Sequence, residues 1–368
     1  MTTRHATKLV REGDYVAEVD VELVDSETGW SPYLSLDDAY RLDDVRGRYI
    51  VFLKNTFPRS LSMEGLKIAM DVANGATYAV APEAFTELGA DLTVIHNNPN
   101  GLNINDKCGS QHTDDLKKKV LETGSAIGLA FDGDGDRLIA VDEKGQEITG
   151  DQILIICAKV LKDEGKLKND LLVSTIMSNL GLTLACKKYG FRHHASKVGD
   201  RYVLEDMQRL GSVIGGEESG HLIFLDHHTT GDGLITALQV LAAMKKENEP
   251  LSKLAGIMAV FPQILINLEV RKKPKIESVP EIMAVIKEVE AKLGDKGRVL
   301  VRYSGTQNMC RVMVEGPEGR ETLSIRLDEE DGRALLAERI HLGQVVSIHS
   351  DSTSLKDVFL RLTGREFR

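Results

Sequence analysis

The chain has 368 residues, of which 42% are hydrophobic and 28% charged, and it carries a net charge of −10. That length holds two or three domains with separate cores, and the acidic balance argues against a nucleic-acid partner gripped through its phosphates. The four cysteines, Cys108, Cys157, Cys186 and Cys310, form no C-x-x-C pair. They read as buried free thiols, predicting neither a disulfide framework nor a zinc site. The opening residues lack the apolar core of a signal peptide. The apolar runs are too short to span a bilayer, so no membrane partner and a cytoplasmic location are expected.

In chain order, Val19, Val21 and Leu23 alternate with Glu18, Asp20 and Glu22, the pattern of a half-buried strand. A helix-like stretch follows over 36–45. The middle then alternates strand and helix. Strands are predicted over 66–70, 92–95 and 126–131, with helices over 82–88 and 113–121, the latter with Thr113 as N-cap. A helix over 151–161 and strands over 171–176 and 212–214 come next. Helices over 181–189 and 199–210 and a long amphipathic helix over 234–246 complete this stretch. This βαβ rhythm implies parallel sheet. A third unit near Phe261 reads as a strand over 264–270, a helix over 279–293 and a strand over 298–301. Beyond it, Leu323, Ile325 and Leu327 alternate, 331–340 is helical, 345–348 is a strand, and 355–362 is a last helix.

The most telling segment is Asp132-Gly133-Asp134-Gly135-Asp136-Arg137. In extended backbone its three carboxylates point the same way, and the glycines leave room for a large ligand. Hard oxygen donors at a strand end suit Mg²⁺, which keeps positions open for water and substrate phosphate. Arg137 is placed to clamp a phosphate oxygen. Two other readings remain. Asp-Gly pairs also make hairpin turns. Glu143 stands where a Ca²⁺-binding EF-hand needs its twelfth ligand, although Arg137 stands where that loop needs glycine.

Two further loops carry chemistry. Gly215-Gly216-Glu217-Glu218-Ser219-Gly220-His221 follows a strand and suits hydrogen bonding to a sugar ring, or is simply a polar turn. Arg302-Tyr303-Ser304-Gly305-Thr306-Gln307, with Arg311, offers amides, hydroxyls and guanidinium groups for an anion, or is a glycine turn beside surface arginines. Thr230-Gly231-Asp232-Gly233 is a weaker feature, or simply a turn that caps the next helix.

The order of these loops resembles the α-D-phosphohexomutase superfamily, and within it the phosphoglucosamine mutase branch. The likeness runs from about Gly47 to Pro317. It includes Asp71-Val72-Ala73-Asn74-Gly75-Ala76, Pro99-Asn100-Gly101-Leu102-Asn103-Ile104-Asn105-Asp106, Val198-Gly199-Asp200-Arg201-Tyr202-Val203 and Thr229-Thr230-Gly231-Asp232-Gly233-Leu234. The resemblance implies an α/β fold. Two consecutive three-layer α/β domains, 47–150 with the metal loop and 151–258 with the sugar loop, precede a smaller α+β phosphate-binding domain at 259–317. The short segments 1–46 and 318–368 are unrelated to it. It implies conversion of glucosamine 6-phosphate to glucosamine 1-phosphate. Asp132, Asp134 and Asp136 then match the Mg²⁺ ligands. Glu217, Ser219 and His221 match sugar contacts. Arg302, Ser304, Gly305, Thr306 and Arg311 match a distal phosphate site. Arg137 and His221 are the candidate catalytic groups. Gln307-Asn308 replaces the family's usual Glu-Pro.

The family also uses a phosphorylated serine in a Ser-His-Asn-Pro loop of its first domain. This sequence has no Ser-His dipeptide. The expectation is therefore a mutase core that lacks its phosphoryl donor. The alternatives are a sugar-phosphate-binding module without turnover, or one half of a split mutase whose second chain supplies the serine. Residues 354–364 resemble the tail of an ABC transporter ATPase.

Overall fold

The computed structural model describes residues 4–12, 15–23, 45–270, 273–294, 297–303 and 309–316. The chain forms two compact units, Met1–Tyr49 and Ile50–Arg368. In the first, β1 (Arg4–Glu12) pairs antiparallel with β2 (Tyr15–Leu23), in register from Arg4↔Leu23 to Glu12↔Tyr15. The alternation expected over 18–23 is the end of β2; its equally long partner β1 was not legible. The helix expected over 36–45 lies outside the described residues except for Val45, which opens α1 (Val45–Thr56). The elements expected over 323–362 also lie outside them.

The second unit starts with a five-stranded sheet in the order β4-β3-β5-β6-β7. Its strands are β3 (Lys67–Asp71), β4 (Asp91–Ile95), β5 (Ile127–Phe131), β6 (Leu138–Asp142) and β7 (Glu147–Ile148). β3 runs parallel to β4 and β5, but β6 turns back antiparallel on β5. The sheet is therefore mixed rather than parallel throughout. α2 (Val80–Glu87) packs near β4, and α3 (Asp114–Thr123) lies across β3 and β5. Leu116 and Val120 of α3 join Ala69, Ala130 and Val141 in a fully buried cluster. Gly128 permits that close approach, since a Cβ there would lie 2.7 Å from Val120 Cγ2. Thr113 does sit at the N-cap of α3, yet its side chain caps nothing. Its hydroxyl donates to Glu147 Oε2 at 2.6 Å, a charge-assisted bond that ties the start of α3 to β7.

The second sheet has the order β11-β10-β8-β9, from β8 (Leu171–Thr175), β9 (Arg192–Ser196), β10 (Ile214–Gly216) and β11 (Leu222–Phe224). It repeats the pattern of the first, with a parallel β9-β8-β10 core closed by the antiparallel β10–β11 hairpin. α5 (Leu180–Tyr189) and α6 (Asp200–Leu210) flank it, and Val203 and Met207 of α6 bury against Leu171, Val173 and Ile223. α4 (Gly150–Asp163) touches strands of both sheets. It starts at a reciprocal cap in which Thr149 Oγ1 accepts from Gln152 N and Gln152 Oε1 accepts from Thr149 N. α7 (Gly233–Glu247) was expected to be amphipathic. Instead every residue from Gly233 to Met244 is buried except half-buried Gln239, because α4, β6 and β11 all pack against the helix.

After α8 (Leu251–Ala255) comes an antiparallel sheet in the order β12-β14-β13, built from β12 (Gln263–Glu269), β13 (Arg298–Tyr303) and β14 (Met309–Glu315). α9 (Pro280–Leu293) packs on β13. Among the described residues, no helix is long and apolar enough to cross a membrane.

Candidate functional site

The Asp loop is the turn of the β5–β6 hairpin, and the Glu217–His221 loop is the turn of the β10–β11 hairpin. The two turns occupy matching places in their sheets and meet. Arg137 and His221 form an antiparallel bridge, and Leu138 N donates to Gly220 O at 3.1 Å. A Cβ at Gly220 would fall 2.1 Å from Leu138 O, so glycine is required for this contact. The Thr229–Gly233 loop closes the third side. Gly233 N donates to Gly135 O at 2.9 Å, and Gly231 lies flat against the His221 imidazole. Asp232 caps α7, accepting from Leu234 N and Ile235 N.

Within the Asp loop the expected alternation holds. Ligand atoms of Asp132, Asp134 and Asp136 all lie within 4.8 Å of one another, on a gradient from buried Asp132 to exposed Asp134. Burial, hydrogen bonding with Asp136 and the nearby carboxylates push Asp132 up to about 7. Asp132 Oδ1 accepts from Arg137 N at 3.0 Å. Buried Asp136 Oδ1 and Arg137 Nε have no hydrogen-bond partner, although Arg137 Nε stands 3.9 Å from the one and 4.0 Å from Asp132 Oδ2. Three mutually repelling carboxylates with an unused buried oxygen fit a small hard cation, which would relieve that repulsion. The EF-hand alternative fails: strands flank the loop, and Glu143 faces away, its carboxylate accepting from the Ser252 amide and hydroxyl.

The sugar loop behaves in parts. Glu217 Oε1 accepts from Gly199 N at 3.0 Å, which ties the loop to the start of α6. Ser219 is exposed, while His221 is buried with Nε2 3.6 Å from Asp136 Oδ2 and Nδ1 unpartnered. On the last sheet Arg302 and Arg311 are direct cross-strand partners. Both have a buried Nε without a partner. Burial and the facing Arg311 charge hold the Arg302 guanidinium below its usual range, with Glu217 opposing that shift. Among the described residues neither guanidinium has a paired anion, and two such adjacent cations are chemically suited to one. Ser304, Gly305 and Thr306 lie outside the described residues.

Sequence reasoning missed Glu218, which joins a buried acidic group with Asp151 and Glu315. Burial and those two carboxylates push it up to about 8. Arg298 pairs with Glu315 and also donates to the Ile176 and Ser178 carbonyls, which fastens the last sheet to the second. Only the fold brings these positions together, so spacing carried no signal of them.

Three family models match in tandem. Residues 47–145 match alpha/beta/alpha domain II of phosphoglucomutase/phosphomannomutase, 149–261 match its alpha/beta/alpha domain III, and 265–332 match its C-terminal domain. The phosphoglucosamine mutase of Syntrophobacter fumaroxidans is 74% identical over 292 residues, covering 79% of this chain. That of Syntrophus aciditrophicus is 65% identical over 288 residues, covering 78%. The chain spans 65% and 64% of the length of these two relatives. Among solved structures, Aspergillus fumigatus N-acetylphosphoglucosamine mutase in complex with GlcNAc-6P and magnesium aligns with a TM-score of 0.62 at 19% identity, over 74% of this chain and 67% of that one. A Burkholderia thailandensis phosphoglucomutase/phosphomannomutase family protein aligns at 0.61 and 23% identity, over 76% and 62%. At such identities these two likenesses speak for the fold alone. The matched domains, in family order over most of the described residues, make this chain a member of the phosphoglucomutase/phosphomannomutase (α-D-phosphohexomutase) superfamily.

Proposed function

We propose that this chain binds Mg²⁺ and glucosamine 6-phosphate or glucosamine 1-phosphate, and forms the metal and sugar-phosphate part of a phosphoglucosamine mutase. The observation that carries the reading is the convergence of two hairpin turns, one bearing three clustered carboxylates and the other Glu217, Ser219 and His221. Asp132, Asp134 and Asp136 would hold the cation. Bound there, Mg²⁺ supplies positive charge to phosphoryl oxygens. Arg137, with its unused Nε, is positioned to donate to a phosphoryl oxygen beside the carboxylates. Ser219 and Glu217 border the sugar hydroxyls, with Glu217 held by Gly199. Arg302 and Arg311 receive the phosphate at the far end of the hexose. The chemistry supports a cytoplasmic location, where sugar phosphates are found.

The sequence has no Ser-His dipeptide to provide a phosphoserine loop. We propose that turnover needs such a loop supplied from outside these residues. A coupled assay for glucosamine 1-phosphate tests this, using the full chain alone and mixed with a separately produced serine-loop domain of a phosphoglucosamine mutase. Product only in the mixture is expected. Full activity of the chain alone overturns the need for an added loop. No product in either, together with no binding, overturns the functional reading.

A further inference from the structure

Behind the Asp loop, on the first sheet, lies a second group of metal-ligating side chains. Asp71 ends β3, His96 follows β4, and Cys108 precedes the short turn Gly109–Gln111. One ligand atom from each lies within 4.8 Å of the others. Cysteine spacing predicts no zinc site, because the three residues stand at a strand end and on two separate loops, and only the sheet order gathers them.

We infer that Asp71, His96 and Cys108 form a site for a borderline-soft divalent cation of the zinc class, distinct from the Mg²⁺ loop. A thiolate, an imidazole and a carboxylate are the donor set such a cation takes. Asp71 and Cys108 are almost wholly buried, at 0% and 1% exposure. The His96 side chain is 26% exposed, which opens the site on one side to an entering ion and a coordinating water. Asp71 Oδ2 already accepts from His96 Nδ1 and Gly109 N, both at 2.9 Å. Once Nδ1 gives up its proton, Oδ2 keeps only the bond from Gly109 N and has a lone pair for the cation. Two N/O ligands at about 2.0–2.1 Å from a tetrahedral ion stand roughly 3.3 Å apart. The 2.9 Å His96–Asp71 spacing needs to open only by a few tenths of an ångström.

The protons balance. Burial and the Asp71 carboxylate push the Cys108 thiol up to about 11. Without a cation the thiol is therefore protonated, and it releases that proton to solvent as the sulfur–metal bond forms. The imidazole stays neutral. Its proton moves from Nδ1, which ligates, to Nε2, where Asp115 Oδ2 stands 3.6 Å away as an outer-shell acceptor. His96 itself sits at φ +50, as do several non-glycine neighbours at φ +48 to +57, including Asn74, Asn105 and Lys107. Such left-handed positions persist where surrounding structure over-determines them. The site also braces the Asp loop. Gly109, held by Asp71, packs where a Cβ would lie 2.5 Å from Phe131 O, the residue before Asp132.

Zn²⁺ titration of the full chain against a chromophoric chelator tests the inference, paired with Co²⁺ absorption, which reports a thiolate ligand by its charge-transfer band. One equivalent of Zn²⁺ and a Co²⁺–thiolate band are expected for the wild-type chain and for Asp134→Asn. Cys108→Ser should lose the band, and both it and His96→Gln should bind at least about tenfold more weakly. Absence of the band in the wild-type chain at saturating Co²⁺ overturns the site whatever the variants do. Unchanged affinity in Cys108→Ser, or loss of all Zn²⁺ uptake in Asp134→Asn, also overturns it.

Discussion

Gly75→Ala tests how tightly the Asp loop is held from behind. Gly75 has φ −111, which alanine adopts freely, so the substitution acts by contact alone. Its Cβ would stand 2.2 Å from Gly133 O and 2.6 Å from Gly133 Cα, where real Cβ atoms stay beyond 3.0 Å. Gly133 must therefore retreat by at least about 0.8 Å, judged against ordinary packing distances. The retreat strains the 2.7 Å hydrogen bond from Ala76 N to Gly133 O. Overpacking of this kind costs about 1–3 kcal/mol, and a weakened hydrogen bond adds about 1 kcal/mol. Gly133 lies between two of the three carboxylates, and Mg²⁺ accepts little departure from octahedral geometry. Mg²⁺ affinity should fall at least about tenfold, or about 1.4 kcal/mol. Calorimetric Mg²⁺ titration and thermal melting read both effects. Gly165→Ala is the control: φ is +68 with nothing within 4 Å of its Cβ, so it should cost stability by strain and leave Mg²⁺ affinity alone. Wild-type Mg²⁺ affinity in Gly75→Ala would refute the idea that the Val72–Ala76 turn positions the carboxylates.

Asp134 is exposed and stands among like-charged carboxylates. Asp134→Asn should weaken Mg²⁺ binding about tenfold or more without lowering the cation-free melting temperature; a large fall in that temperature would mark the loop as structural. Arg311→Ala should weaken glucosamine 6-phosphate binding by about 1.5–3 kcal/mol, the worth of a charged hydrogen bond, with no loss of stability because Arg302 is relieved of its neighbour. Glu218 gives a pH signature. Its folded value of about 8 stands above the ordinary 4.5. Its contribution to stability is therefore present below about 4.5 and lost as pH rises through about 8. Urea midpoints at about pH 5 and about pH 9 should differ less in Glu218→Gln than in the wild-type chain, and an equal difference would argue against a buried acid there.

The site was legible where its chemistry lies in a contiguous run. Alternating Asp and Gly between apolar strands predicts that three carboxylates gather, as they do, because their spacing and the strand pleat share a period of two. The polar residues of the sugar loop were readable as one contiguous run, whereas the facing of Arg302 and Arg311 comes from the β13–β14 pairing. What stayed hidden depends on which loops meet. A βαβ rhythm does not decide whether β6 turns back on β5, so the hairpin stood as one reading of the Asp loop until the antiparallel β5–β6 pairing appeared. Nor does it place Arg137 against His221. Thr113 looks like a cap until the fold brings Glu147 to its hydroxyl. α7 reads as an amphipathic helix until α4, β6 and β11 pack against it. Asp71, His96 and Cys108 are separated by loops that only the β3–β4 and β3–β5 pairings draw together.

The most direct test of the central claim is calorimetric titration of the full chain with glucosamine 6-phosphate in the presence of Mg²⁺, repeated with Arg302→Ala/Arg311→Ala. Saturable binding by the wild-type chain, weakened at least about tenfold in the double variant, is the predicted result. No binding by the wild-type chain, or equal binding by both, would contradict the assignment of these loops to a sugar phosphate.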